Sequence, residues 1–283
     1  LLYCEDCTLV QLGLTVDAKV LFPPDYPYTS GTTKILHENF EGLHRESAAF
    51  LSLEADDLVV DIGSNDGTLL SKFQAGGFTV HGIEPTDAGD LAVAAGIPTT
   101  KAFFSPATAK SVKSKTGPAL IVTAANCFAH IEHIHNIMEG VLALLDDDGV
   151  FVSESHYLMA LLDSVQYDTI YHEHLRYYSL TSLQHLLKSH GMNIIHARPI
   201  PTHGGSVRVY AAREGSRQVE ASVAEMLATE AARGPIGKQL EEFKGRVVKS
   251  KVDLHALFSR IKANGERIYG ISAPSRASTL AHY

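Results

Sequence analysis

The stretch DLVVDIGSNDG (57–67), followed by TLLSKFQAG, constrains this chain more than any other. An apolar run from Leu58 to Ile62 breaks at a glycine-rich turn and passes straight into a helical pattern. The unit then repeats in outline. FTVHGIEP reads as a second strand ending in an acid, Glu84, and ALIVTAAN (119–126) and GVFVSES (149–155) as further strands, each preceded by helical spacing. Strands alternating with helices point to a parallel sheet covered on both faces. A helix is expected at 35–52 ahead of the first strand.

The pattern changes near its end. SLQHLLKSHGMNIIHA gives a helix and a strand, and GGSVRVYAAR adds an alternating strand with no helix between them. That pair predicts a hairpin and places an antiparallel strand at one edge of the sheet. Seven strands with the last inserted antiparallel is the Rossmann-like α/β layout of class I methyltransferases, expected here over residues 35–216. Residues 217–264, rich in Ala, Glu and Lys, predict a helical connection. Residues 265–283 (GERIYGISAPSRASTLAHY) predict a strand, turn and helix, the start of a further, truncated α/β domain. Residues 1–34 are short-stranded and turn-rich, and Cys4 and Cys7 form one C-x-x-C, half of a structural zinc site. The expectation is a partial N-terminal zinc module whose partner pair lay upstream, with both ends of the chain read as cuts through a longer protein. Two surface thiols are the plainer alternative.

Composition narrows the function classes. The hydrophobic share is 45%, the charged share 20% and the net charge −8, and no Lys/Arg run is long enough to track a phosphate backbone, so nucleic acid is not expected as a partner. No apolar stretch reaches the roughly 20 residues a membrane span needs, and no signal peptide is evident. With three cysteines a disulfide scaffold is excluded, and a cytoplasmic setting is expected.

Asp61, Gly63, Ser64, Asn65 and Gly67 sit where a strand becomes a helix, the place where open parallel sheets bind ligands. The dinucleotide fingerprint has a glycine where this loop has Asn65, flanked by Asp66. A negative, side-chain-filled turn suits a ligand with a positive centre and no phosphate, such as S-adenosylmethionine. Glu84 ends the next strand and can accept from ribose hydroxyls. Asn126 ends the fourth strand and faces the same crevice, and Phe103 or Phe104 can flank an adenine or belong to the core.

The densest cluster of functional side chains is YHEHLRYYSL (171–180). If extended, it points Tyr171 and Glu173 one way and His172 and His174 the other. A metal site from His172 and His174 with His130 or His133 is one reading, and a single functional imidazole among surface groups is another. The third is acid–base work. Histidine titrates nearest neutral pH, a carboxylate can orient it, and a tyrosine can donate to an oxygen gaining charge. His130, in NCFAHIEHIH, would project into the same crevice.

The segments CEDCTLVQL, DIGSNDGTLL, GIEP, AANCFAHIEH, DTIYHEHLRYYSLTSL, THGGSVRVY and SAPSRASTL together resemble the bacterial C-methyltransferases that act on nucleotide-linked deoxysugars. The resemblance implies methyl transfer from S-adenosylmethionine to the carbon beside the 4-keto group of a dTDP-hexose. It implies His174 as the base, with Tyr171, Glu173 and His130 orienting the sugar, supporting the base and stabilising the enolate. It further implies that Asn126 and Tyr26 or Tyr28 line the pocket, with His203 of THGGS a further candidate beside the plain reading of hairpin glycines. The turn APSRAS departs from the family's APAKGN, and Arg276 reads there as a phosphate contact or, more ordinarily, as a solvated surface arginine. A monomer is expected. The rivals are an O- or N-methyltransferase of another metabolite, an NAD-linked oxidoreductase, and a non-catalytic adenosyl- or sugar-binding module.

Overall fold

Every residue from Leu58 to Ile62 is buried, as a strand must be when helices cover both faces of its sheet. The computed structural model describes residues 1–271 and 274–283. It opens with strands Leu2–Tyr3 (β1) and Val10–Gln11 (β2) and helices Ala18–Leu21 (α1) and Lys34–Leu51 (α2). The alternating part follows: Leu58–Ile62 (β3), Thr68–Ala75 (α3), Thr79–Ile83 (β4), Ala88–Ala94 (α4), Thr99–Thr100 (β5), Pro106–Thr116 (α5), Ala119–Ala125 (β6), Ile134–Leu144 (α6) and Leu145–His156 (β7). Then come Leu158–Ser164 (α7), Arg176–Tyr177 (β8), Leu180–Lys188 (α8), Met192–Ile200 (β9), Ser206–Arg213 (β10), Ala221–Ala232 (α9), Ile236–Ala263 (α10) and Ser275–His282 (α11).

Seven strands form one sheet in the order β5-β4-β3-β6-β7-β10-β9. The first five run parallel, and β10 lies antiparallel between β7 and β9. The antiparallel strand is therefore one place in from the edge, not at it. Burial explains the order. β10 is enclosed along all but its last residue, whereas β9 has partly exposed positions and carries Pro199, which an edge strand tolerates. Alternate residues feed opposite cores: Val60 and Val122 pack with α5 and α6, while Val59 and Ile121 pack with α2 and α3.

A buried ionic knot ties α2 to the sheet. Arg208 on β10 is fully enclosed; its Nε donates to Glu154 at 2.6 Å and its Nη1 to Glu46 at 2.7 Å. Its Nη2 reaches the carbonyl and side-chain oxygens of Asn39, and Asn39 Nδ2 donates to Glu154 at 2.7 Å.

The chain's two ends differ from expectation. The connection over 217–264 is two helices, broken at Gly234-Pro235, where Gly234 takes φ +81°. The first of them belongs to the core. Glu230 is buried on α9 and accepts from Leu180 N, Thr181 N, Thr181 Oγ1 and Tyr157 Oη at 2.6–2.9 Å, placing a carboxylate at the start of α8. No strand forms over 266–271; Tyr269 and Ile271 are 75% and 94% exposed, and no strand lies beside them, among the described residues, to take their backbone hydrogen bonds. In the turn APSRAS, Ala273 lies outside the described residues. Helix α11 returns onto the loop ahead of β8 through an Arg276–Asp168 ion pair and a Thr279 Oγ1 hydrogen bond to Ile170 O. At the other end, β1, β2 and β8 form a second, small sheet, so the first residues are joined to the segment after Tyr171–His174.

Candidate active site

A cavity of about 420 Å³ opens at the carboxyl ends of β3, β4, β6 and β7. Gly63 forms one wall at φ +69°, and a Cβ there would stand 3.0 Å from Cys127 Cβ. Glu84 lies beside it at the end of β4, its Oε2 accepting from Asn65 N at 2.9 Å and its Oε1 from Thr86 N and Oγ1 at 2.9 and 2.7 Å. A carboxylate offers about four acceptor positions, so with three taken Glu84 is rigidly aimed and keeps one, on Oε2, for a ribose hydroxyl. Asn126 and Phe103 line the cavity as well, and so does Phe104, whose ring also crowds Gly140 on α6. A glycine wall, an aimed acid and an aromatic side fit a nucleoside cofactor.

Three cofactor candidates do not line this cavity. Asp61 is buried behind the loop, accepting from Thr123 Oγ1 at 2.5 Å, and burial with the nearby Glu84 and Glu154 charges pushes its carboxyl up to about 7. Ser64 is tucked against Gly82, where a Cβ would meet its Oγ at 2.4 Å, and Gly67 packs on Ala92 and Ile97 at the start of α3. These residues shape the turn. Of the loop's polar pair, Asn65 lines the cavity and Asp66 does not. Asn65 accepts from Ser30 N and donates to Tyr28 O, while Asp66 accepts from Gly31 N and from Thr68. Asp66 thus holds down the strap of residues 22–31 and presents no charge to a ligand. Asp87 N adds a bond to Pro24 O. Residues 18–31, expected within a zinc module, instead roof the cleft, with Phe22, Tyr26 and Tyr28 all lining it.

The opposite wall is the Tyr171–His174 segment. It is a turn closed by His174 N to Tyr171 O at 3.0 Å, not an extended stretch. The turn abolishes the alternation expected of a strand, and Tyr171, Glu173 and His174 all reach the cavity while His172 does not. His174 is 6% exposed, and its Nδ1 lies 2.7 Å from Thr169 O. A carbonyl only accepts, so Nδ1 carries the proton and Nε2 is left with a free lone pair. Burial brings this imidazole down to about 4 and keeps it neutral at pH 7. Tyr171 lies 4.4 Å from it, ring to ring, and burial with the Glu173 charge pushes the phenol up to about 12, leaving it a hydrogen-bond donor. Tyr26 Oη donates to Glu173 at 3.3 Å, and burial raises the Glu173 carboxyl. His130 stacks on His174 at 5.1 Å, with Phe22 on its other side at 6.0 Å.

His203 lines the cavity from the β9–β10 turn. Arg276 does so too, paired with Asp168, and is not a free surface arginine. The sequence reading missed His156, which ends β7 and lies 4.7 Å from His174, ring to ring. The rule that singled out Asn126, a polar residue at a strand's carboxyl end, applies to His156 equally. Phe22 and Phe40 carried no comparable local signal. Among the described residues no group of three or more His, Cys, Asp or Glu is arranged to hold a metal, which removes the metal reading of His130, His133, His172 and His174. Cys4 and Cys7 lie in the turn between β1 and β2, the Cys4 thiol drawn down by hydrogen bonds from Cys7, and among the described residues they belong to no group arranged to hold a metal.

Two expectations follow from this geometry. Glu84→Ala should weaken S-adenosylmethionine binding by about 10–100-fold in calorimetry, the scale of one hydrogen bond to a charged acceptor, and should lower Tm as well, because Asn65 N and Thr86 N lose their acceptor. Acid should destabilise the fold. His130, His156, His174 and His203 are all held below the usual imidazole range by burial, so the unfolded chain binds protons that the folded one refuses. Each such group lowers stability by up to about 1.4 kcal/mol per pH unit as pH falls from about 6.5 towards its folded value. Asp61, Glu154 and Glu173 are raised and work in the opposite sense, but the imidazoles outnumber them. Urea midpoints should fall between pH 6.5 and 4.

A seven-stranded sheet with its antiparallel strand beside the edge, and a glycine turn and acid facing the crevice, is the architecture of class I methyltransferases. Residues 34–197 match the family described as methyltransferase domain, and residues 201–283 the family described as C-methyltransferase C-terminal domain. The C-methyltransferase NovU of Streptomyces niveus is 34% identical over 280 residues, covering 98% of this chain and 66% of NovU. Among solved structures, the PH0226 protein of Pyrococcus horikoshii OT3 superposes with a TM-score of 0.53 at 14% identity, over 71% of this chain and 100% of that one. Magnesium protoporphyrin IX methyltransferase from Synechocystis PCC 6803, with bound S-adenosylhomocysteine, gives 0.50 at 13% identity, over 65% and 88%. These two share the fold. The chain belongs to the methyltransferase-domain family. It spans 66% of the length of its curated relative.

Proposed function

We propose that this chain forms the catalytic part of an S-adenosylmethionine-dependent C-methyltransferase acting beside the ketone of a nucleotide-linked 4-keto-deoxysugar such as a dTDP-hexose. One observation carries the reading: a neutral imidazole with its Nδ1–H tied to Thr169 O shares a single cavity with the Gly63 turn and Glu84. Glu84, Gly63, Asn126 and Phe103 would hold the cofactor, which when bound supplies an electrophilic methyl group. A ketone-flanked carbon is a poor nucleophile until it loses a proton. His174 Nε2 accepts that proton, and Tyr171 donates to the oxygen that gains charge. Glu173, oriented by Tyr26, and His130 fix the sugar against the base. Arg276 and His203, which both line the cavity, suit the anionic end of a nucleotide-linked substrate. Zinc at Cys4 and Cys7, with a second pair supplied from outside this chain, would fix the small sheet to which β2 belongs. A single copy as the active unit and a cytoplasmic setting remain part of the same reading; no helix among the described residues is long and apolar enough to cross a membrane.

The test is incubation with methyl-labelled S-adenosylmethionine and a panel of dTDP-4-keto sugars. The expected product carries the label in a carbon–carbon bond that survives acid hydrolysis. Label released by hydrolysis would place the chain with O- or N-methyltransferases, and cofactor binding without transfer would make it a binding module.

A further inference from the structure

C-methylation leaves a proton behind. The C–H electron pair stays with the acceptor carbon and becomes the new carbon–carbon bond, so each turnover deposits one H⁺ on the base. On the reading above it arrives at His174 Nε2, the one ring nitrogen not engaged by Thr169 O. That ring is almost wholly enclosed and has to be emptied before the next cycle.

Two further imidazoles continue from it. His156, at the end of β7, lies 4.7 Å from His174 between ring centroids, and His203, in the β9–β10 turn, lies 5.6 Å from His156. All three line the cavity, and His203 precedes the exposed Gly204. Among the described residues, neither His156 nor His203 gives a ring nitrogen to a protein hydrogen bond, so both nitrogens of each ring are available. The other neighbour, His130, is backed by Phe22 and leads towards the strap. Tyr171 keeps its own proton.

We propose that His156 and His203 form a proton relay that empties His174 to solvent, which makes His156 a second functional imidazole of this site. The proposal rests on the C-methyltransferase reading. At each hop one ring nitrogen accepts a proton while the other releases one, directly or through a single water, so no electrons move and the net change is one H⁺ delivered outside. Burial, with the Arg276 charge beside them, keeps all three rings from retaining the proton.

The test is His156→Asn in the intact protein, with a dTDP-4-keto-deoxyhexose as acceptor. In dilute buffer kcat should fall by about tenfold or more, KM and the affinity for S-adenosylhomocysteine should stay within about twofold, and added imidazole should restore kcat. In D₂O, with S-adenosylhomocysteine replacing the donor, deuterium entry at the acceptor carbon should slow and be rescued in parallel. A kcat within about twofold of the wild type overturns the relay, and so does a loss that imidazole does not restore. If His156→Asn lowers Tm sharply, His203→Asn supplies the kcat, imidazole-rescue and deuterium readouts with the same two outcomes, read at saturating substrate because His203 also faces the substrate's anionic end. Absence of any His174-dependent deuterium entry in the wild-type protein overturns the C-methyltransferase reading itself, whereas normal entry with an inert His156→Asn overturns only the relay.

Discussion

His174→Ala should lower kcat by about 10²–10⁴-fold, the usual weight of a positioned general base, while cofactor affinity changes little. The separation follows from geometry, because Gly63 and Glu84 stand on the cavity wall away from the Tyr171–His174 turn. A second signature accompanies the first. The acid limb of kcat/KM reports the free enzyme's base, and burial holds His174 at about 4. The limb should therefore fall near pH 4, well below the ordinary imidazole value of about 6.5. So low a value makes a weak base, and the developing enolate charge beside Tyr171 must stabilise the imidazolium as it forms. His174→Gln, which can keep the Thr169 contact but has no titratable nitrogen, should be as inactive as the alanine variant. A loss of tenfold or less would transfer the role to His130 or Tyr171.

The largest effect on stability is expected at Arg208. Arg208→Met should destabilise the fold by about 3–5 kcal/mol, the cost of stranding buried charges, read as a lowered urea midpoint. Glu154 would lose its 2.6 Å partner while fully enclosed, and Glu46 one of its two arginines. Burial already pushes the Glu154 carboxyl up, with Arg208 and Asn39 pulling it back, so the variant should take up a proton at Glu154 on folding. Sign then follows: a raised carboxyl favours the folded state at low pH and loses that advantage as pH rises, so the defect should deepen from pH 5 to 8. Adding Glu154→Gln should recover part of the loss. Equal stability of Arg208→Met and wild type would mean that the knot contributes nothing.

The parts of the fold legible in the sequence were those with local periodicity. Leu58–Ile62, the glycine turn and α3 form one continuous pattern, and Glu84 follows from strand length alone. What escaped depends on contacts between distant segments. The strap 22–31 became a roof because Asn65, Asp66 and Asp87 bind its backbone, and nothing within DYPYTS signals those partners. The pairing of β2 with β8 likewise joins segments far apart in the chain. The strand expected near Tyr269 had the right side chains, but a strand also needs a neighbour for its backbone. Tyr171–His174 shows a different failure: assuming an extended chain forced an alternation that the turn removes, although the residues chosen there do meet in one cavity. His156 was open to inference and overlooked, since its position at the end of β7 matches that of Asn126 on β6.

The most direct measurement is a crystal structure of the protein with S-adenosylhomocysteine and a dTDP-4-keto sugar. A ribose hydroxyl should lie on Glu84 and the sulfur should face the acceptor carbon, with His174 Nε2 about 3–3.5 Å from that carbon. A sulfur held away from the Tyr171–His174 turn, with no path to a carbon within reach of that imidazole, would contradict the central claim.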